Sequence, residues 1–122
     1  MDAGELKLRT FEFGKRVIRL VRALPKTTDG RAIGAQLVRC GTAVGANYRA
    51  TCKSRSKAEF IAKIGVVEEE ADESAYWLEL IVATAMLKTS LVRPLLEEAR
   101  ELERIFGQSR VTASHNKDEK RK

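Results

Sequence analysis

Apolar residues recur along most of this chain at alternating steps of three and four, the spacing that gathers them on one face of an α-helix. In the first such segment Phe13, Val17, Leu20 and Leu24 form a stripe that Phe11, Ile18 and Val21 widen, and a helix is predicted over residues 8–24. Pro25 ends it, because proline disfavours helical geometry in the residue before it, and Thr27-Thr28-Asp29-Gly30 supplies loop chemistry. A second helix is predicted over 29–53, with Ile33, Leu37, Cys40, Val44 and Asn47 along one face. Gly34, Gly41 and Gly45 lie inside it, and each weakens a helix by about 1 kcal/mol relative to alanine. Close approach of another helix would offset that loss, so this helix is expected to be central.

Ser56-Lys57-Ala58-Glu59 matches the S-x-x-E capping box and opens a third helix, predicted over 56–88. Its stripe of Phe60, Ile64, Val67, Ala71, Ser74, Leu78, Ile81 and Ala85 alternates steps of four and three without a break, the repeat of left-handed bundle packing. A second stripe, Trp77 with Ile61, Ala75 and Val82, makes this helix more apolar all round than one core requires. That surplus points to an oligomer interface at Trp77, Ile61 and Val82. A fourth helix is predicted over 92–106, with Pro94 in its first turn, Leu95, Ala99, Leu102 and Phe106 facing inward, and Gly107 as its stop. Residues 109–122 read as a flexible basic tail, which leaves 1–108 as one all-α domain. Four helices joined by short loops pack most simply as an antiparallel up-down-up-down bundle.

Charge adds a division that periodicity does not show. The net charge is +6, but residues 1–63 carry 14 Lys/Arg against five Asp/Glu, whereas residues 64–108 carry four against ten. Lys15, Arg19, Arg22 and Lys26 follow steps of four, three and four on the polar side of the first helix, with Arg16 alongside. Arg39, Arg49 and Lys53 share a face of the second, and Arg55 follows at the turn. Such a row can track phosphates, can be a solvated face or pair with the acidic third and fourth helices, or can meet an acidic protein partner. The expected function is non-enzymatic: an oligomeric bundle binding RNA or DNA through these residues, with a protein-binding scaffold as the alternative.

Candidate catalytic chemistry is sparse. His115 is the single histidine, and no glutamate has a histidine three positions on, as a di-iron bundle requires. No phosphate-binding glycine loop, nucleophile elbow or CxxC pair occurs, and no cofactor or metal is expected. Glu69, Asp72 and Glu73 share a face that could attract a hard cation, but without a loop or a second ligand set a solvated or partner-facing acidic face is the better reading. Cys40 and Cys52 fall on one predicted helix at roughly 18 Å separation, beyond disulfide reach, and read as reduced thiols. The N-terminus lacks the pattern of a secretory signal and the longest apolar run is far shorter than a membrane span. A cytoplasmic protein without membrane contact is expected.

Asn47-Tyr48-Arg49-Ala50, Arg55-Ser56-Lys57-Ala58-Glu59-Phe60, Glu69-Glu70-Ala71-Asp72-Glu73-Ser74 and Trp77-Leu78-Glu79-Leu80 together resemble a bacterial family over roughly residues 6–106. These are the four-helix bundle proteins encoded by intervening sequences inside 23S ribosomal RNA genes, also called S23 proteins. Many members read Ser-Asn-Ile-Ala-Glu-Gly where this chain has Ala46-Asn47-Tyr48-Arg49-Ala50-Thr51, so the asparagine is kept and the glutamate and glycine are not. The resemblance implies a ring-like homopentamer. It also implies likeness to the accessory protein of diversity-generating retroelements, a basic barrel that binds nucleic acid and a reverse transcriptase.

Overall fold

The structure, a computed structural model, describes the backbone of residues 1–121 and the side chains of residues 1–116. Four helices account for nearly all of it: α1 (Ala3–Arg22), α2 (Thr28–Thr51), α3 (Lys57–Ala83) and α4 (Thr89–Arg121), with no strand among the described residues. Each of the first three begins on the side-chain cap that its sequence offers. Asp2, Thr27 and Ser56 accept hydrogen bonds from the backbone N–H groups of Glu5, Gly30 and Glu59, satisfying donors that a helix start leaves open. The capping box at Ser56 forms with one change: Glu59 accepts from the N–H of Arg55, one residue before the cap.

Neighbours in sequence are neighbours in space. α1 packs on α2, α2 on α3, α3 on α4, and α4 closes more lightly on α1, with no backbone approach across either diagonal among the described residues. The cross-helix pairs run in opposite senses along the α1–α2 and α3–α4 interfaces. Gly14 meets Thr42 while Gly34 meets Val21 and Leu24, and Glu68 meets Arg110 while Glu79 meets Arg100. The bundle is therefore the antiparallel up-down-up-down arrangement.

The core contains the residues at the three-and-four spacing. Phe13, Val17, Leu37, Val44, Ile64, Val67, Leu78, Ile81, Leu102 and Phe106 are essentially inaccessible. The glycines of α2 do face a close neighbour: a Cβ on Gly41 would sit 2.8 Å from both methyls of Val17, and one on Gly45 would sit 3.3 Å from the Thr10 carbonyl oxygen. That closeness serves α1, while α2 also packs on α3; α2 and α3 each pack extensively against two neighbours, so the central place expected for α2 is shared with α3. Much of the all-round apolarity of α3 has this origin. Ala75 is buried, and Trp77 and Val82 pack against the chain's own core.

Four helix boundaries lie three or more residues from the expected ones. α1 starts at Ala3 instead of residue 8, because Asp2 caps it. α3 ends five residues early: the N–H of Ala85 bonds the Val82 carbonyl and that of Met86 bonds the Ile81 carbonyl, while Ala85 adopts the left-handed φ of 56°. This is the pattern that usually places glycine at the left-handed position, and it leaves Ala85 exposed instead of in the core. Gly107 does not stop α4. A Cβ there would lie 2.7 Å from the Glu68 carboxylate, so the glycine makes room for a crossing side chain, and Arg110 one turn on pairs with that same carboxylate at 2.7 Å. The expected tail is thus helical from 109 through Arg121; Lys122 and the side chains of 117–121 lie outside the described residues. With α4 starting at Thr89, Pro94 falls in its second turn and leaves the Ser90 carbonyl without its helical donor. No helix among the described residues is long and apolar enough to cross a membrane.

Candidate nucleic-acid interface

α1 turns Phe13, Val17 and Leu20 inward, so helical geometry forces Arg19 and Arg22 outward. Arg16, half-buried, leans with Arg19 over a shallow groove between α1 and the start of α4, against Leu91 and Leu95. Arg22 occupies the last turn of α1, where the carbonyl end of the helix favours a cation. Lys26 continues the row into the α1–α2 turn, where Arg31 of α2 lines the same small cleft. None of Arg16, Arg19, Arg22, Lys26 and Arg31 forms an ion pair among the described residues.

The other expected basic residues separate into three places. Lys15, paired to Glu12 of its own helix at 3.2 Å, and Arg49 of α2 face one another across a groove of about 320 Å³ that Lys7 also rims. Lys53 and Arg55 lie in the α2–α3 turn, at the opposite end of the bundle from Arg22 and Lys26; α2 alone is roughly 36 Å long at 1.5 Å per residue. Arg39 leaves the basic face altogether. It pairs with Glu73 and stands 3.7 Å from Glu70, both on α3, so the grouping of Arg39 with Arg49 and Lys53 does not hold. Lys7 and Arg31 were not in the expected set, although Lys7 lies two turns before Lys15 on the same side of α1.

Carboxylates on α3 and α4 are largely engaged. Glu98 takes both arms of Arg9, at 2.7 and 2.8 Å, bridging α4 to α1, and this partner holds the Arg9 guanidinium above its ordinary value. Glu79 pairs with Arg100, Glu68 with Arg110, and Glu101 with Arg104. Burial pushes the Glu70 carboxyl up, and burial together with the neighbouring Asp72 carboxyl pushes Glu103 up. The three acids considered for a cation diverge: Glu73 turns to Arg39 and accepts from the Trp77 indole at 3.1 Å, Asp72 lies beside Glu103, and Glu69 is exposed. No group of three potential metal ligands occurs among the described residues.

Cys40 is buried against Ser74, whose hydroxyl donates to its sulfur at 3.4 Å, and burial pushes the thiol up, away from nucleophilic character. Cys52 is exposed at the end of α2, and both cysteines are free. Of the residues expected at an oligomer interface, Trp77 and Val82 are half-buried on the core, with Trp77 edge-on to Tyr76 at 5.0 Å, and Ile61 is half-buried. The large apolar side chains that α3 does expose are Val66 and Tyr76.

The model of the 23S rRNA-intervening sequence protein family matches residues 5–108. The chain belongs to this family. Among solved structures, a protein of unknown function from the S23 ribosomal protein family of Bacteroides thetaiotaomicron is similar to it at a TM-score of 0.80 and 28% identity. That likeness covers 86% of this chain and 97% of the other. No curated protein matches. The family match ends at residue 108, so the last helical turns of α4 extend beyond the part shared with the 23S rRNA-intervening sequence proteins.

Proposed function

We propose that this family member is a non-enzymatic, homo-oligomeric bundle that binds RNA or another nucleic acid through the basic face of α1 and the α1–α2 turn. The observation that carries the reading is the lack of carboxylate partners for Arg16, Arg19, Arg22 and Lys26, while Glu68, Glu73, Glu79, Glu98 and Glu101 of α3 and α4 are held by Arg110, Arg39, Arg100, Arg9 and Arg104. Cations that no internal acid neutralises attract external phosphates and release the counterions condensed on them. The family's association with ribosomal RNA intervening sequences favours RNA among polyanions. Exposed Val66 and Tyr76 on α3, facing away from the basic row, support assembly into an oligomer, and the same two side chains favour the second reading, a scaffold that binds only protein.

Fluorescence anisotropy with a structured RNA tests the first reading. If the four cations of the row each engage a phosphate, raising salt from about 50 to about 200 mM weakens binding roughly hundredfold, following a slope of about −0.9 per phosphate. Absence of binding at the lower salt, or binding indifferent to salt, refutes it.

A further inference from the structure

The groove between α1 and α2 differs from the rest of the basic face because it is apolar inside. Phe11 stands on its edge, 59% exposed, since its helical position lies outside the Phe13–Val17 stripe. Gly14 and Gly45 supply no side chain to fill the floor, so the gap that lets the helices approach also stays open toward solvent. The rim is cationic on both walls, Lys7 and Lys15 from α1 and Arg49 from α2, and no carboxylate lines the groove. Lys7 and Lys15 are eight residues apart, roughly 12 Å along the axis, with Phe11 midway between them.

Resting on the nucleic-acid reading above, we propose that this groove takes an unpaired nucleotide of single-stranded RNA, its base stacked on Phe11 and its flanking phosphates held by Lys7, Lys15 and Arg49. Charge complementarity selects a polyanion, and an exposed aromatic ring between cations is what a flat, unstacked base can use. Within a duplex the bases stack on each other and cannot reach the ring. Two polar groups in the groove, the hydroxyls of Thr10 and Thr42, already donate to the carbonyls of Leu6 at 2.8 Å and Val38 at 2.6 Å in their own helices. They leave little to read a base edge, so recognition is of single-strandedness rather than of sequence.

The test measures anisotropy of a labelled 12-nucleotide oligouridylate and of a blunt-ended RNA duplex without a loop against wild-type protein, Phe11→Ala and Phe11→Tyr. Phe11→Ala should weaken single-strand binding roughly five- to hundred-fold, leave the duplex within about twofold, and be rescued by Phe11→Tyr. Phe11 is exposed, so its removal spares the core. Oligoadenylate and oligocytidylate should bind within about tenfold of oligouridylate. Unchanged single-strand affinity in Phe11→Ala, with wild type still binding both RNAs, overturns the stacking site and spares the broader reading. Failure of wild type to bind either RNA overturns both. Loss in Phe11→Ala of binding to an acidic amphipathic peptide, without loss of RNA binding, assigns the groove to a protein and overturns the proposal.

Discussion

Phe106→Ala should destabilise the bundle by about 3–5 kcal/mol, a large part of the roughly 5–15 kcal/mol by which a domain of this size is stable. Phe106 is fully buried, and its ring meets Tyr48 with centroids 5.3 Å apart, which ties α4 to the far end of α2. Truncation removes the buried ring, leaves a cavity between helices that are already packed, and breaks the aromatic pair. Urea unfolding should show a lower midpoint with an unchanged slope. A loss below about 1 kcal/mol would mean that this end of α4 does not dock as described.

Gly41→Val is expected to cost about 2–3 kcal/mol or more despite placing a better helix former in α2. The added Cβ would fall 2.8 Å from both methyls of Val17, a side chain that is wholly buried and, being β-branched, stiff about χ1. Only movement of α1 relieves the clash. Gly14, on the same interface, provides the contrast: a Cβ there meets its nearest atom at 3.8 Å, an ordinary contact. Gly14→Ala should therefore stabilise by up to about 1 kcal/mol through helix propensity. Thermal unfolding of the two variants beside wild type separates close packing from glycine content alone, and equal effects would contradict the packing account.

What the sequence displayed well was whatever depends on local chemistry or strict period. The seam from Ile64 to Ile81 is buried as its spacing implies, and Ser56 and Pro25 mark a start and an end correctly. The misses share one cause: they depend on a partner brought near only by folding. Gly107 looks like a stop until Glu68 crosses it, and Ala85 ends α3 in a conformation for which alanine gives no signal. Arg39 reads as part of a basic face because nothing in the linear chain places it opposite Glu70 and Glu73. Phe11 reads as the margin of a core stripe, yet the bundle leaves it in solvent. The basic row of α1 was legible because one helix suffices to define it; the groove shared by Lys7, Lys15 and Arg49 was not, because it belongs to two helices.

On the proposed reading, the partnerless cations of α1, and not overall positive charge, attract the nucleic acid. The most direct measurement compares two double reversals that change net charge identically, Arg19→Glu with Arg22→Glu, and Arg93→Glu with Arg104→Glu on the exposed side of α4. In anisotropy titrations against one RNA at one salt concentration, the α1 reversal should weaken binding about tenfold or more and the α4 reversal less than about threefold. Equal losses from the two pairs, or no loss from the α1 pair, would contradict the account.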